Sequence, residues 1–355
     1  MYRILVINPG STSTKIAVYE DEKCVFLEKV EHKVQDLDKH PDLMDQLEFR
    51  RKNIIDCLEK HGFKKSDFSA IAARGGILPP IESGTYLVNE KMVHYLRYLS
   101  PVKHVSNLAA VIAYELADGE IPVYITDPVS VDEMIPEARF SGIPEIQRKS
   151  LLHTLNIKAV CRKVAFEFNK TYEELNLVVA HLGGGISIAA IRKGRIIDVN
   201  NANDEGPFSP ERTGELPVGD VVRMCFSGKY TKDELKKMFV GKGGLVAYLG
   251  TNDLREALKM AQIDKKADLI IEAMAYQIAK EIGGMCAVLC GVVDAIILTG
   301  GMAYSNDFVD RIKSYVYKFA PIFVVPGEFE MEALALGALR VLRGEDSAKT
   351  WGDFQ

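Results

Sequence analysis

The sequence predicts an α/β protein built of two duplicated halves that face each other across a central cleft. Three observations carry that expectation. The chain has 355 residues, enough for two domains of similar length. Two stretches, one at the amino terminus and one near the middle, share a layout of three short strands opened by a glycine-containing hairpin. After each stretch, helical and strand patterns alternate, which is the order of an α/β layer with a mixed sheet.

The first stretch runs from an apolar strand at 3–7 through Asn8-Pro9-Gly10-Ser11-Thr12-Ser13-Thr14 into a strand at 15–19. A polar turn at 20–23 then leads to a third strand at 24–30. Helices at 42–60 and 106–116 follow, with strands at 69–73 and 121–126. The second stretch repeats the plan with a strand at 177–180, the turn His181-Leu182-Gly183-Gly184-Gly185, a strand at 186–191, the turn Arg192-Lys193-Gly194 and a strand at 195–199. A long helical pattern at 265–289 precedes a strand at 295–299, a helix at 305–319, a strand at 322–325 and a helix at 330–342. The polar tail at 344–355 is expected to fray. This reading puts the first domain at 1–148 and a second, nucleotide-binding domain at 149–329. The C-terminal helix, about 330–355, returns to the first domain.

Composition excludes several classes of function. With 47% hydrophobic and 26% charged residues, and 44 basic against 49 acidic side chains, the net charge is −5. Neither a nucleic-acid partner nor a membrane partner is expected from that balance. The apolar stretch at 4–7 is broken by Asn8-Pro9-Gly10 and is too short for a signal peptide, so a cytoplasmic location is expected. The longest apolar run, at 287–298, is interrupted by Gly291 and Asp294 and falls short of a membrane span. The six cysteines are scattered without zinc-ligand spacing and read as reduced thiols. Cys286 and Cys290, four apart on a helix, read as packing residues.

A tight turn rich in Gly, Ser and Thr offers backbone N–H groups and hydroxyls to an anion. Taken alone, such a hairpin is most often only a turn. Two of them, opening the two halves of a duplication, point to a polyphosphate gripped from both sides. A third cluster, Gly300-Gly301-Met302-Ala303-Tyr304, follows the strand at 295–299. It fits a close backbone approach to a base or ribose, although without the other motifs a plain strand-to-helix turn is the favoured reading.

In this order the motifs resemble those of the acetate and butyrate kinases, carboxylate kinases on the actin-like ATPase (ribonuclease H-like) fold. Asn8 to Lys15 looks like the family's first phosphate motif and His181 to Gly185 like its second, while Gly300-Gly301-Met302-Ala303 stands where the family contacts adenosine. The run Arg148-Lys149-Ser150-Leu151-Leu152-His153 resembles the segment with a substrate-side histidine, and Arg212-Thr213-Gly214-Glu215 the segment with a catalytic arginine. The resemblance extends from residue 1 to about residue 342. Where acetate kinases have His-Gly-Gly, this chain has Arg74-Gly75-Gly76, and Thr154-Leu155-Asn156 replaces Gly-Thr-Ser-His after His153. These departures, and the shorter length, resemble the butyrate kinase branch.

The resemblance implies ATP/ADP and Mg²⁺ as cofactors, and butyrate or a branched short-chain fatty acid as substrate. A homo-oligomer is also expected. A carboxylate with a pKa of about 4 to 5 is already a nucleophile near neutral pH and needs no general base. It needs its charge neutralised against the γ-phosphate, a task suited to guanidinium groups. By resemblance Arg212 is assigned to the transition-state phosphoryl oxygens; by its place beside Gly75-Gly76, Arg74 is assigned to the carboxylate. His153 would donate to an equatorial phosphoryl oxygen and His181 would serve near the donor phosphates. Ser11, Ser13 and Lys15 complete the first loop, and Gly183, Gly184, Gly185, Gly300, Gly301 and Met302 contact the nucleotide. Asp127, Asn8 and one of Glu330 and Glu332 would hold Mg²⁺, mostly through water. Each residue has a bland alternative: Lys15 as an edge charge, Glu330 and Glu332 as first-turn helix acids, the arginines as solvated surface charges. Two rival functions stay open. A sugar or polyol kinase would benefit from a carboxylate base. An actin-like or chaperone-type ATPase would need a client or polymer segment, for which no room is seen after Leu342.

Overall fold

Among residues 1–40 and 42–352, which the computed structural model describes, a seven-stranded and a five-stranded mixed sheet form. They belong to two units, one of Met1–Val131 with the segment from Phe329 onward, the other of Asp132–Glu328.

In the first unit, β1 (Arg3–Pro9), β2 (Ser13–Glu20) and β3 (Lys23–Glu31) make an antiparallel meander. Next come β4 (Ala70–Ala73), β5 (Thr85–Leu87) and β6 (Val123–Thr126); β4 runs parallel to β1 and to β6, and β5 pairs antiparallel with β6. β1 is an unbroken apolar run because both its faces are covered, with the helices Asn107–Ala117 and Glu330–Leu342 packing on it. β3 alternates exposed and half-buried residues, as an edge strand with one wet face must.

The second unit has β7 (Asn176–Leu182), β8 (Ile186–Arg192), β9 (Arg195–Val199), β10 (Ala295–Gly300) and β11 (Ile322–Pro326). Its order, β11-β10-β7-β8-β9, repeats β6-β4-β1-β2-β3 of the first sheet, with the same strand directions. The helices Gln46–Lys60 and Lys265–Val288 take equivalent places after the two meanders, and each third strand carries one extra residue, Val25 opposite Val18/Tyr19 and Ile197 opposite Ala190/Ile191. The expected α/β duplication is therefore present in the topology, and β1 and β7 lie in separate sheets.

Several parts of the chain differ from the sequence reading, which assigned no element to the helix Thr154–Glu167 or to β5. The tail does not simply fray: β12 (Lys349–Thr350) adds to the sheet edge beside β5, and Trp351 is buried in the first core. One large indole supplies enough apolar area to hold this short polar segment down. Residues 353–355 of that tail lie outside the described residues. The segment at 200–264, where no element is expected from the sequence, holds the helices Val218–Cys225, Lys232–Phe239, Gly244–Leu249 and Leu254–Ala261. Among the described residues no helix is long and apolar enough to cross a membrane.

Candidate active site

The first hairpin is tighter than its sequence suggests. Asn8 pairs with Lys15 and Pro9 with Thr14, so both strands run on into the motif, and the Gly10 N–H closes the loop on the Ser13 carbonyl at 2.8 Å. Asn8 and Ser13 are buried, whereas Ser11 and Lys15 are exposed.

Asn8 is joined by two other expected residues. Arg74, whose N–H bonds the Ile7 carbonyl at the end of β1, forms an ion pair with Glu330. The other Glu330 oxygen accepts from the Asn8 amide at 2.9 Å. Glu330 is thus the helix acid that reaches this group. Glu332 instead acts on the Tyr19 phenol, which burial, Cys24 and, least, Glu332 hold above its ordinary range. Gly75 and Gly76 are required by packing: a β-carbon on Gly75 would lie 2.3 Å from Pro128 Cβ, and one on Gly76 2.9 Å from Asn107 Cα. Asp127, next to Pro128, has φ +41, and its Oδ1 accepts from Ser83 Oγ at 2.6 Å and Gly84 N–H at 2.8 Å. A non-glycine residue in that region is strained, and this pair of donors holds it there. His104, absent from the sequence reading, lies in the field of Arg74: burial and then that charge push its imidazole below the usual value.

The residue types fit a hard cation. Asn8 spends its amide N–H on Glu330, which leaves Oδ1 as an acceptor beside that carboxylate, and oxygen donors of this kind suit Mg²⁺. Among the described residues Asp127, Glu330 and Glu332 form no closed carboxylate group at direct-ligation spacing. Retention through water and phosphate oxygens matches that arrangement.

In the second unit His181 lies within β7 and not in the turn where the sequence reading placed it. Its Nδ1 is bonded by the Asn156 amide at 2.9 Å, which itself donates to Thr299 Oγ1 at 3.2 Å. With Nδ1 accepting, the proton of the neutral ring sits on Nε2. That atom faces the hairpin, since a β-carbon on Gly183 would lie 3.2 Å from it. His153 stacks on the same ring, centroids 4.0 Å apart, and bonds Ser187 Oγ through Nδ1 at 3.0 Å. Arg212 lies against Gly185, whose added β-carbon would sit 2.3 Å from Nη1. Its guanidinium donates to the Ala202 carbonyl at 3.0 Å, while the buried Nε has no acceptor among the described residues. Burial lowers the Arg212 pKa and Glu211 opposes this; an arginine remains charged regardless. Ser209 fixes the loop from behind, donating to the Gly184 carbonyl at 2.5 Å and accepting from the Arg212 N–H.

Four of the expected nucleotide-motif residues, Gly183, Gly184, Gly301 and Met302, line one cavity of about 920 Å³ together with Asp253 and Arg255. The second hairpin and the third glycine cluster, 116 residues apart from Gly184 to Gly300, are joined because β10 runs beside β7. Gly300 has φ +89 and presses on β7, where a β-carbon would lie 2.4 Å from the Leu182 carbonyl. Asp253 and Arg255, unmarked by any motif, belong to the cap of the helix Leu254–Ala261. The Asp253 carboxylate accepts from the Arg255 backbone and pairs with its guanidinium, which pulls its pKa to about 2.

Residues 81–319 match the Acetokinase family. A protein named "Probable butyrate kinase" from Thermotoga petrophila is 62% identical over 352 residues, 99% of each chain. "Probable butyrate kinase 1" of Thermotoga maritima is 62% identical over 98% of each. Among solved structures, acetate kinase from Porphyromonas gingivalis superposes with a TM-score of 0.81 at 19% identity, covering 96% of this chain and 100% of its own, which shows a common fold. With the duplicated sheets and the ordered glycine motifs, these matches establish that the chain belongs to the Acetokinase family.

Proposed function

We propose that the chain is a butyrate kinase, moving the terminal phosphoryl group of ATP onto the carboxylate of butyrate or a branched relative and, in reverse, making ATP from an acyl phosphate and ADP. The single observation that carries the nucleotide half is the cavity lined by Gly183, Gly184, Gly301 and Met302. It supports assigning the nucleotide to the second domain, read as 149–329. A carboxylate oxygen attacks the γ-phosphorus while the bond to the β–γ bridging oxygen breaks, and its electron pair leaves with ADP. No proton moves, so no general base is needed. Arg212, whose Nε–H has no acceptor among the described residues, neutralises the equatorial oxygens. Arg74 grips the carboxylate, and its Glu330 partner fixes the plane of the guanidinium. Nε2–H of His181 donates to the donor phosphates, and His153 bonds a phosphoryl oxygen. Asn8, Asp127 and Glu330 are the residues that would hold Mg²⁺, which would supply charge neutralisation on the phosphates. The enzyme works in the cytoplasm as a homo-oligomer.

Hydroxylamine trapping tests the reading. With ATP and Mg²⁺, short-chain acids should yield acyl hydroxamates, while hexoses and polyols offered in parallel should give no sugar phosphate. Sugar phosphorylation without hydroxamate would replace the carboxylate kinase by a sugar kinase.

A further inference from the structure

We propose that Arg50 is the positioning residue of the first phosphate hairpin, gathering the loop's carbonyl oxygens from beneath and lending it a positive charge, so that the loop offers only donors to a phosphate. The proposal rests on the nucleotide reading above. Arg50 lies on the helix Gln46–Lys60, on the face that also carries Ile54, Cys57 and Leu58, and is 1% exposed. Its Nη1 donates to the carbonyls of Gly10 at 2.9 Å and Ser13 at 3.2 Å and to Thr14 Oγ1 at 3.3 Å, its Nη2 to the Ser11 carbonyl at 2.8 Å, and its Nε to Gln46 at 3.1 Å. The Thr12 carbonyl is taken by the His32 N–H at 2.8 Å. Every carbonyl from Gly10 to Ser13 is therefore satisfied within the protein. The N–H groups of Ser11 and Thr12, both exposed residues, have no acceptor among the described residues. A loop with its acceptors tied inward and its donors free is an anion nest.

The charge points the same way. No Asp or Glu among the described residues pairs with Arg50, and burial alone pulls its pKa to about 10, which leaves it cationic. The neighbouring His32 bonds Thr14 Oγ1 at 2.8 Å and is kept neutral, its pKa drawn down to about 4 by burial and then by Arg50. A buried cation without a counter-ion calls for an anion from outside, and the loop above it is where one can bind.

Titration calorimetry with ATP and with adenosine separates this role from a purely structural one. Arg50→Met should weaken ATP on the order of tenfold or more and leave adenosine within about twofold, because adenosine has no phosphate to offer the loop. Arg50→Lys should fall between, since a single ammonium nitrogen keeps the charge but cannot span the five acceptors that the guanidinium fork reaches. The lysine variant also keeps the test open if the methionine variant does not fold. Equal weakening of ATP and adenosine, or an unchanged ATP affinity, would overturn the proposal. A wild-type protein that binds neither ligand would instead overturn the nucleotide reading itself.

Discussion

The contact between Arg212 and Gly185 makes a single methyl group a probe of mechanism. The nearest atoms to a β-carbon at 185 are those of the flexible end of the arginine, so Gly185→Ala should displace the guanidinium at little cost in stability. Arg212→Ala should lose on the order of 10² in kcat, as for one strong electrostatic stabiliser. Gly185→Ala should lose part of that with Tm nearly unchanged, and the double variant should be no worse than Arg212→Ala alone. Additive losses in the measured kcat values would show that Gly185 acts independently of the arginine. His32 gives a pH test. Its folded pKa, about 4, lies below the ordinary 6.5, so the unfolded chain binds the extra proton first as pH falls. Stability from this residue is full above about pH 6.5 and is lost between there and about pH 4. Urea unfolding of His32→Gln across that window should show a shallower acid decline than wild type; an unchanged slope would show that another group carries it.

At this scale legibility was uneven. The phosphate motifs and Arg212 stand out as residue types in a pattern. Arg50 hides in the run Arg50-Arg51-Lys52, which reads as a wet surface, although its spacing to Ile54, Cys57 and Leu58 puts it on the apolar face. Glu330 and Glu332, two apart on a helix, point some 200° from each other, about two steps of the helical period. Only one can face Asn8, and sequence does not give the phase.

Elements were most legible where burial is complete. The centres of β1, β7 and β10 are continuous apolar runs, and each strand is visible in the sequence to within two residues at either end. β5 and β12, of three and two residues, carry no periodicity, and the helices between 218 and 261 run only six to eight residues, too short to be stable without their tertiary contacts. The junction of β10 with β7 depends on Gly300. Gly300→Ala must relieve both φ +89 and a β-carbon 2.4 Å from the Leu182 carbonyl. We expect a loss of about 1–3 kcal/mol in thermal unfolding, together with weaker ATP binding, because Gly301 and Met302 follow directly in the cavity wall. A stable variant with normal ATP affinity would show that the turn tolerates a side chain.

At the scale of the whole chain, the duplicated strand order is what the two hairpins foretold, and it explains why phosphate-type loops recur at the ends of β1 and β7. Choice of acid is a finer property, and it provides the most direct test of the proposed function. If Arg74 holds the carboxylate while apolar side chains receive the alkyl tail, each buried methylene adds about 0.8 kcal/mol. Butyrate, two methylenes longer than acetate, should then be favoured about tenfold in kcat/KM. The decisive measurement is kcat/KM for acetate, propionate, butyrate and isobutyrate by hydroxamate formation at saturating ATP. A rise from acetate to butyrate of about that size is the predicted result, and acetate as the best substrate would contradict the butyrate kinase assignment.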